Sequence, residues 1–161
     1  MNSNMIIEMG QTGDANQNLV ECLKDTLANA FVMSLKAHGH HWNVTGEDFH
    51  EFHDFFGAIY DDVDSSVDPL AENIRKRDAM TPFFLSDFAA LTSIEDIEVG
   101  GNAMAMCKDL LMANDVMIQS LNDCFSAATM ANDQGIANFI GGRLEMHAKW
   151  RWQLRATLGI S

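Results

Sequence analysis

The sequence has little of what interrupts a helix. Proline occurs only twice in 161 residues, as Pro69 and Pro82, so long segments lack the one residue that cannot continue a helix. No apolar run reaches the roughly 18 residues that a transmembrane helix needs, so we expect no membrane partner. The first residues show neither the basic start nor the long apolar stretch of a signal peptide, and we expect a cytoplasmic protein.

Cysteine is also scarce. Cys22, Cys107 and Cys124 are widely spaced and form no Cys-x-x-Cys pair. An odd number at such distances argues against a disulfide framework or a zinc site. We interpret the three cysteines as small buried hydrophobic residues.

Positive charge is the third shortage. Ten Lys and Arg stand against 23 Asp and Glu, which gives a formal charge of −13. Such a chain repels nucleic acid at long range and does not suit an anionic membrane. The charge is compatible with attracting cations, although many acidic proteins bind none.

Helical periodicity dominates what is present. The polar residues 1–15 are predicted to be a short flexible N-terminal tail, followed by one domain over residues 16–161. Four long helices are predicted, over residues 16–40, 49–77, 99–127 and 134–157. The connection over residues 78–98 is too long for a tight hairpin, and Ser86 or Ser93 could begin a short helix there. Pro69 should kink the second helix, unless the register tolerates the break. The pattern predicts an all-α, ferritin-like four-helix bundle, with one long crossover between helices two and three that carries a short helix.

Four residues in the first half are good metal ligands: His41, His53, Asp68 and Glu72. Imidazole and carboxylate together suit iron, manganese or zinc. If helix two is continuous, the fifteen residues between His53 and Asp68 span roughly 22 Å, which one ion cannot bridge. Either these are unrelated surface residues, or a second copy of the chain completes the site. Antiparallel pairing of helix two about a two-fold axis would achieve the latter.

A site inside the bundle is less well supported. The di-iron pattern of four-helix bundles uses two Glu-x-x-His motifs on separate helices. This chain has one match, Glu47 to His50, and no second.

The spacing of these residues resembles a known family. The run from Lys36 to Gly46 with its His-Trp-Asn element, the twelve-residue step to His53, and the Asp-x-x-x-Glu pair within residues 68–75 are similar to the motifs of the Dps miniferritins. The resemblance implies a hollow dodecameric shell with a short helix at its two-fold interfaces. It implies that Fe(II) binds between subunits, is oxidised by hydrogen peroxide or oxygen, and is stored as Fe(III) in the cavity. Such a protein limits the radical chemistry of iron and peroxide during oxidative stress.

The resemblance also implies roles for single residues. His41 and His53 would be ligands from one subunit, and Asp68 and Glu72 would come from its two-fold partner. Trp42 would lie beside this catalytic site, where family members use it to intercept radicals; it could equally serve as packing at the helix end.

Two departures from the family pattern matter. The family commonly has a carboxylate four residues after the second His, where this chain has Gly57. The alternative function is therefore a non-catalytic metal-binding or storage shell with impaired ferroxidase activity. Residues 1–20 contain no Lys or Arg, so DNA binding is not expected, although the family name implies it.

Overall fold

The computed structural model describes the backbone of residues 3–160 and the side chains of residues 13–160. This part of the chain contains no strand, and its one isolated β-bridge joins Thr45 to Asn102. Its helices are α1 (Ser3–Asn43), α2 (Phe49–Asp64), α3 (Val67–Arg75), α4 (Leu85–Leu91), α5 (Ala103–Met130) and α6 (Gln134–Thr157).

The bundle consists of four long rods. Three of them are the single helices α1, α5 and α6, and the fourth is α2 followed by α3. The α1 helix packs against α2, α3 and α5, while α5 packs along α6. Apolar residues at three- and four-residue steps face the centre, and on α1 these include Leu23, Leu27 and Met33, each at most 1% exposed. Burying a side chain of this size contributes roughly 1.5–3 kcal/mol. The predicted all-α, ferritin-like bundle is confirmed.

The first helix begins at Ser3, well before the predicted start near residue 16. Polar residues and glycine lower helix propensity by at most about 1 kcal/mol each, and no proline blocks this segment. The division into a tail over residues 1–15 and a domain over residues 16–161 stays a prediction.

The second rod differs from its prediction. We expected one helix over residues 49–77 with a kink at Pro69, but α2 ends at Asp64 and α3 begins at Val67. Pro69 lies in the first turn of α3, where a missing N–H leaves no intrahelical bond unmade. The chain turns at Ser65 and Ser66, whose hydroxyls donate to the carbonyls of residues 62 and 63, both at 2.6 Å.

The crossover carries the predicted short helix. This helix, α4, begins at Leu85 rather than at Ser86 or Ser93, and the Asp87 carboxylate accepts the Phe84 N–H at its start. Phe88 stacks on Phe31 of α1 at a ring-centroid distance of 4.5 Å. These contacts fix the crossover along one side of α1.

Side chains cap the two remaining helices. Asn102 accepts the N–H of Ala105 at the start of α5, four residues after the predicted start, and Asp133 accepts the N–H of Ile136 at the start of α6. Asp133 also forms an ion pair of 2.6 Å with Arg77, which ties the end of α3 to the turn between α5 and α6. Within the described residues, no helix is long and apolar enough to cross a bilayer.

Candidate metal centre

His41 and His53 lie against each other where α1 ends and α2 begins. Their rings stack with centroids 3.6 Å apart and an angle of 23° between the ring planes. Nδ1 of His41 lies 2.7 Å from the backbone oxygen of His53, and Nδ1 of His53 lies 2.8 Å from the backbone oxygen of His41. Each residue therefore holds the ring of the other through its own carbonyl.

This reciprocal contact fixes the tautomer of both rings. A carbonyl oxygen only accepts hydrogen bonds, so both Nδ1 atoms must carry the proton and donate it. In a neutral imidazole the other nitrogen, Nε2, then keeps its lone pair. His41 and His53 thus each offer a free Nε2, oriented by a backbone carbonyl in the way that metal-ligating histidines usually are.

Gly57 is part of the same packing. A Cβ atom at Gly57 would lie 3.1 Å from Nδ1 and 3.3 Å from Cε1 of His41, which is tighter than ordinary van der Waals contact. The missing side chain therefore lets the His41 ring lie close against α2. The sequence suggested only that a ligand is absent at this position.

Aromatic rings surround the histidine pair. The Trp42 side chain is 60% exposed, and its ring centroid lies 4.0 Å from that of His38. The His38 ring in turn stacks on Tyr60 at 3.8 Å and lies 6.0 Å from that of His41. Trp42 thus lies against His38 near the end of α1. Sequence reasoning missed His38 as its neighbour.

Asp68 and Glu72 lie on α3, and both are exposed. Among the side chains of residues 13–160, no group of three or more His, Cys, Asp or Glu residues is arranged to hold a metal ion within one chain. The single chain therefore brings His41 and His53 together and leaves the two carboxylates apart from them.

A buried ion network near the end of α1 joins His40 and Lys36 to Asp109 of α5. Nε2 of His40 lies 2.7 Å from Oδ2 of Asp109, and Nζ of Lys36 lies 3.0 Å from the same oxygen. Burial raises the pKa of Asp109, but hydrogen bonds and charge from His40 and Lys36 outweigh burial and hold this pKa below its usual value. These contacts anchor the helical turn that carries His41 to α5.

A second buried network lies between α2, α5 and α6. Arg143 donates two hydrogen bonds of 2.9 Å to Asp62, and Trp150 donates a third of 2.7 Å. His147 pairs with Asn114 at 2.7 Å. Burial, followed by the charge of Arg143, lowers the pKa of His147 to about 3. The Asp62 carboxylate is thus paired with the guanidinium of Arg143.

Comparison with known proteins extends over almost the whole chain. A profile of the ferritin-like domain matches residues 20–160. The chain is 26% identical over 146 residues to DNA protection during starvation protein 2 of Bacillus anthracis, covering 89% of this chain and 98% of that protein. Dps from Thermosynechococcus elongatus superposes with a TM-score of 0.87 at 24% identity, covering 91% of this chain and 94% of the other. Dps from Vibrio cholerae O1, described as a member of the ferritin-like diiron-carboxylate proteins, gives a TM-score of 0.86 at 26% identity, with 90% and 91% covered.

Profile and fold together place the chain in the ferritin-like family. Within that family it is a Dps-type miniferritin, since proteins named for DNA protection during starvation are among its sequence relatives and Dps proteins are among its structural neighbours. The resemblance inferred from the His-Trp-Asn element and the Asp-x-x-x-Glu pair is confirmed at the level of the family.

Proposed function

We propose that this chain is an iron-sequestering miniferritin that binds and oxidises Fe(II) between two subunits and stores Fe(III) in a hollow shell. Membership of the ferritin-like Dps family supports iron storage and ferroxidase-type chemistry in general terms. The observation that carries the proposal is the histidine pair, whose two oriented Nε2 atoms belong to no group of three or more metal ligands among the side chains of residues 13–160.

In this proposal each subunit contributes half of a site. His41 and His53 hold Fe(II) through Nε2, and Asp68 and Glu72 of the partner subunit supply carboxylates that balance the charge of the ion. Carboxylate oxygens stabilise Fe(III) more than Fe(II), so they also favour its oxidation. Two Fe(II) ions give one electron each to hydrogen peroxide, which takes up two protons and leaves as two waters. Oxygen is the other oxidant that we propose, and Zn or Mn could occupy the same ligands.

Exposed apolar residues support an oligomer. Four side chains before and at the start of α4 are strongly exposed: Met80 (67%), Phe83 (68%), Phe84 (57%) and Leu85 (76%). A contiguous apolar stretch of this kind marks an interaction surface. We propose that it lies between copies of the chain, in the dodecameric shell that the Dps relatives suggest.

Three further proposals complete this function. The protein acts in the cytoplasm, where it removes iron that would react with peroxide. It does not bind DNA directly, because its charge of −13 opposes approach to phosphate. Trp42, whose ring lies against that of His38 beside the histidine pair, acts as a sacrificial donor for oxidants that escape the site. A salt-sensitive gel shift with duplex DNA at low ionic strength would contradict the second of these proposals.

A non-catalytic storage shell is the second candidate function, and Gly57 is the observation that favours it. The structure supplies no carboxylate in place of the side chain that Gly57 lacks, since no third ligand stands beside His41 and His53 in the described chain. On this alternative, iron binds at the histidine pair but oxidises no faster than in buffer.

Adding Fe(II) anaerobically and then peroxide tests the proposal, with the oxo-iron(III) absorbance in the ultraviolet as the readout. We expect a rate well above the protein-free control, and a large loss of that rate in His41→Ala and in Asp68→Ala. His50→Ala is the matched control, because His50 is an exposed histidine on the same turn of α2 as His53. Tight Fe(II) binding without faster oxidation would establish the storage alternative instead.

A further inference from the structure

Two of the three cysteines lie at matching positions on the paired helices α1 and α5. The two helices run antiparallel, and the hydroxyls of Thr26 and Ser120 lie 2.8 Å apart across it. Cys22 is one turn before Thr26 on α1, and Cys124 is one turn after Ser120 on α5. Residues four apart share a helix face, so the same register places Cys22 opposite Cys124.

The surroundings of Cys124 show the same closeness. Cys124 is fully buried, and its thiol lies beside the Thr26 side chain. A charge on Cys22 raises the pKa of the Cys124 thiol, as expected for two thiols across one helix contact. Both cysteines are free in this structure, and Cys22 is the half-buried member of the pair.

We propose that Cys22 and Cys124 form a peroxide-sensitive dithiol that closes into a disulfide between α1 and α5. The half-buried Cys22 reacts first: its sulfur takes one oxygen from hydrogen peroxide, the O–O bond breaks, and one water leaves. The Cys124 thiol then attacks the resulting sulfenic acid, so that an S–S bond forms, the S–O bond breaks, and a second water leaves. Two thiols have lost two electrons, and one peroxide has become two waters.

The electrostatics of the pair make this reaction slow. Burial raises the pKa of Cys22, and the nearby carboxylates of Asp25, Asp123 and Glu21 raise it further. Burial also raises the pKa of Cys124 to about 12. Because the thiolate is the reactive form, little of either thiol is reactive at neutral pH. The pair should therefore remain reduced during brief exposure and close only under sustained or excess peroxide.

Closure would join segments that are distant in sequence. The disulfide would enclose most of the chain in one loop. A cross-link restricts the unfolded state more when the loop that it closes is longer. We therefore expect the oxidised protein to resist unfolding better than the reduced protein, so that the shell is strengthened under the conditions in which it is needed.

The test uses the assembled, iron-free protein, held with a chelator and treated with increasing hydrogen peroxide before alkylation, digestion and mass spectrometry. We expect a peptide in which Cys22 is linked to Cys124, and a higher melting temperature that reductant reverses. Cys107→Ser is the matched control and should change neither result. Cys107 precedes Cys124 by seventeen residues on α5, about 25 Å along the helix, so it can reach neither partner.

Single variants separate the two steps. In Cys124→Ser, the sulfenic acid on Cys22 should persist and be trapped by a dimedone-type reagent. In Cys22→Ser, the linked peptide and the rise in melting temperature should both disappear. The proposal is overturned if no Cys22–Cys124 peptide forms, whether Cys22 has been oxidised further or has remained a thiol. Because no iron is present, this result is independent of the proposed ferroxidase function.

Discussion

Gly57 lies directly against His41, with 3.1 Å between the position of a Cβ atom on the glycine and Nδ1 of the imidazole. That nitrogen is the one that donates to the backbone oxygen of His53 at 2.7 Å. Any side chain at position 57 therefore requires the His41 ring, a proposed ligand, to shift by a few tenths of an ångström. Gly57 has two separable consequences, because it lacks a carboxylate and it also allows the histidine pair to close.

Substitution of Gly57 separates these two consequences. Gly57→Ala adds the Cβ atom alone, so we expect the His41 ring to shift by a few tenths of an ångström. Fe(II) affinity should then fall by roughly 10-fold or more, as for other losses of a group that orients a ligand. Stability should change little or rise by up to about 1 kcal/mol, since alanine favours a helix. Calorimetric titration with a divalent metal and urea unfolding measure the two effects.

Gly57→Asp has the same Cβ atom and adds the carboxylate that the family commonly has. The informative comparison is therefore with Gly57→Ala rather than with the unchanged protein. If a missing ligand limits oxidation, Gly57→Asp should oxidise Fe(II) several-fold faster than Gly57→Ala. Equal rates in the two variants would show that the absent carboxylate is not what limits turnover.

The buried ion network at Asp109 should depend on all of its members. Asp109→Leu leaves Lys36 buried without its carboxylate, which should cost about 3–5 kcal/mol in the free energy of unfolding. In the double variant with Lys36→Met, much of this loss should be recovered, because no unpaired charge remains. Urea unfolding of the single and double variants measures the difference. A double variant less stable than Asp109→Leu would contradict this assignment.

His147 should make stability depend on pH. Its pKa is lowered to about 3 in the folded chain, while an unfolded histidine titrates near 6.5. Between these values the unfolded chain binds a proton that the folded chain does not, so stability is fully present above about pH 6.5 and falls as the pH drops. The slope from this group is at most about 1.4 kcal/mol per pH unit. The pKa of Asp62 is also lowered: burial raises it, but hydrogen bonds from Arg143 and Trp150 outweigh burial. Protonation of Asp62 therefore lowers the stability further as the pH drops, in a lower pH range.

Unfolding at a series of pH values checks this prediction, at one protein concentration because assembly adds to apparent stability. His147→Gln removes the titrating group and should flatten the dependence between pH 6 and pH 4. His50→Gln is the control, since His50 is exposed and should leave the slope unchanged. An unchanged slope in His147→Gln would assign the acid sensitivity to other groups.

The sequence correctly predicted those features of the fold and family that depend on one local rule, such as the spacing of apolar residues or of ligands. Apolar spacing predicted the last helix within its observed bounds of Gln134–Thr157, and the ligand spacing indicated the family. For Pro69 the sequence left open a kink or a tolerated break. The structure has the second case, because α3 begins at Val67 and proline is tolerated in a first turn. The prediction that residues 1–15 are flexible rests on composition alone.

The site was predicted only in part, for a physical reason. Residue types identify His41 and His53 as possible ligands, but their mutual carbonyl contacts depend on how α1 meets α2. No local signal encodes that meeting, nor the contact of Gly57 with His41. No local sequence pattern indicates the ion pairs of Lys36 and His40 either, because their partner Asp109 lies on α5.

Mixed assemblies test most directly whether the site is shared between chains. His41→Ala and Asp68→Ala shells should each lack the metal site, but dissociation and reassembly at equal ratio should restore about a quarter of the sites. Such sites combine the intact histidine half of one chain with the intact carboxylate half of another. We predict that the mixed shells bind Fe(II) and oxidise it with peroxide at about a quarter of the level of the unchanged protein. Mixed shells no more active than the two variants kept apart would contradict a site shared between chains.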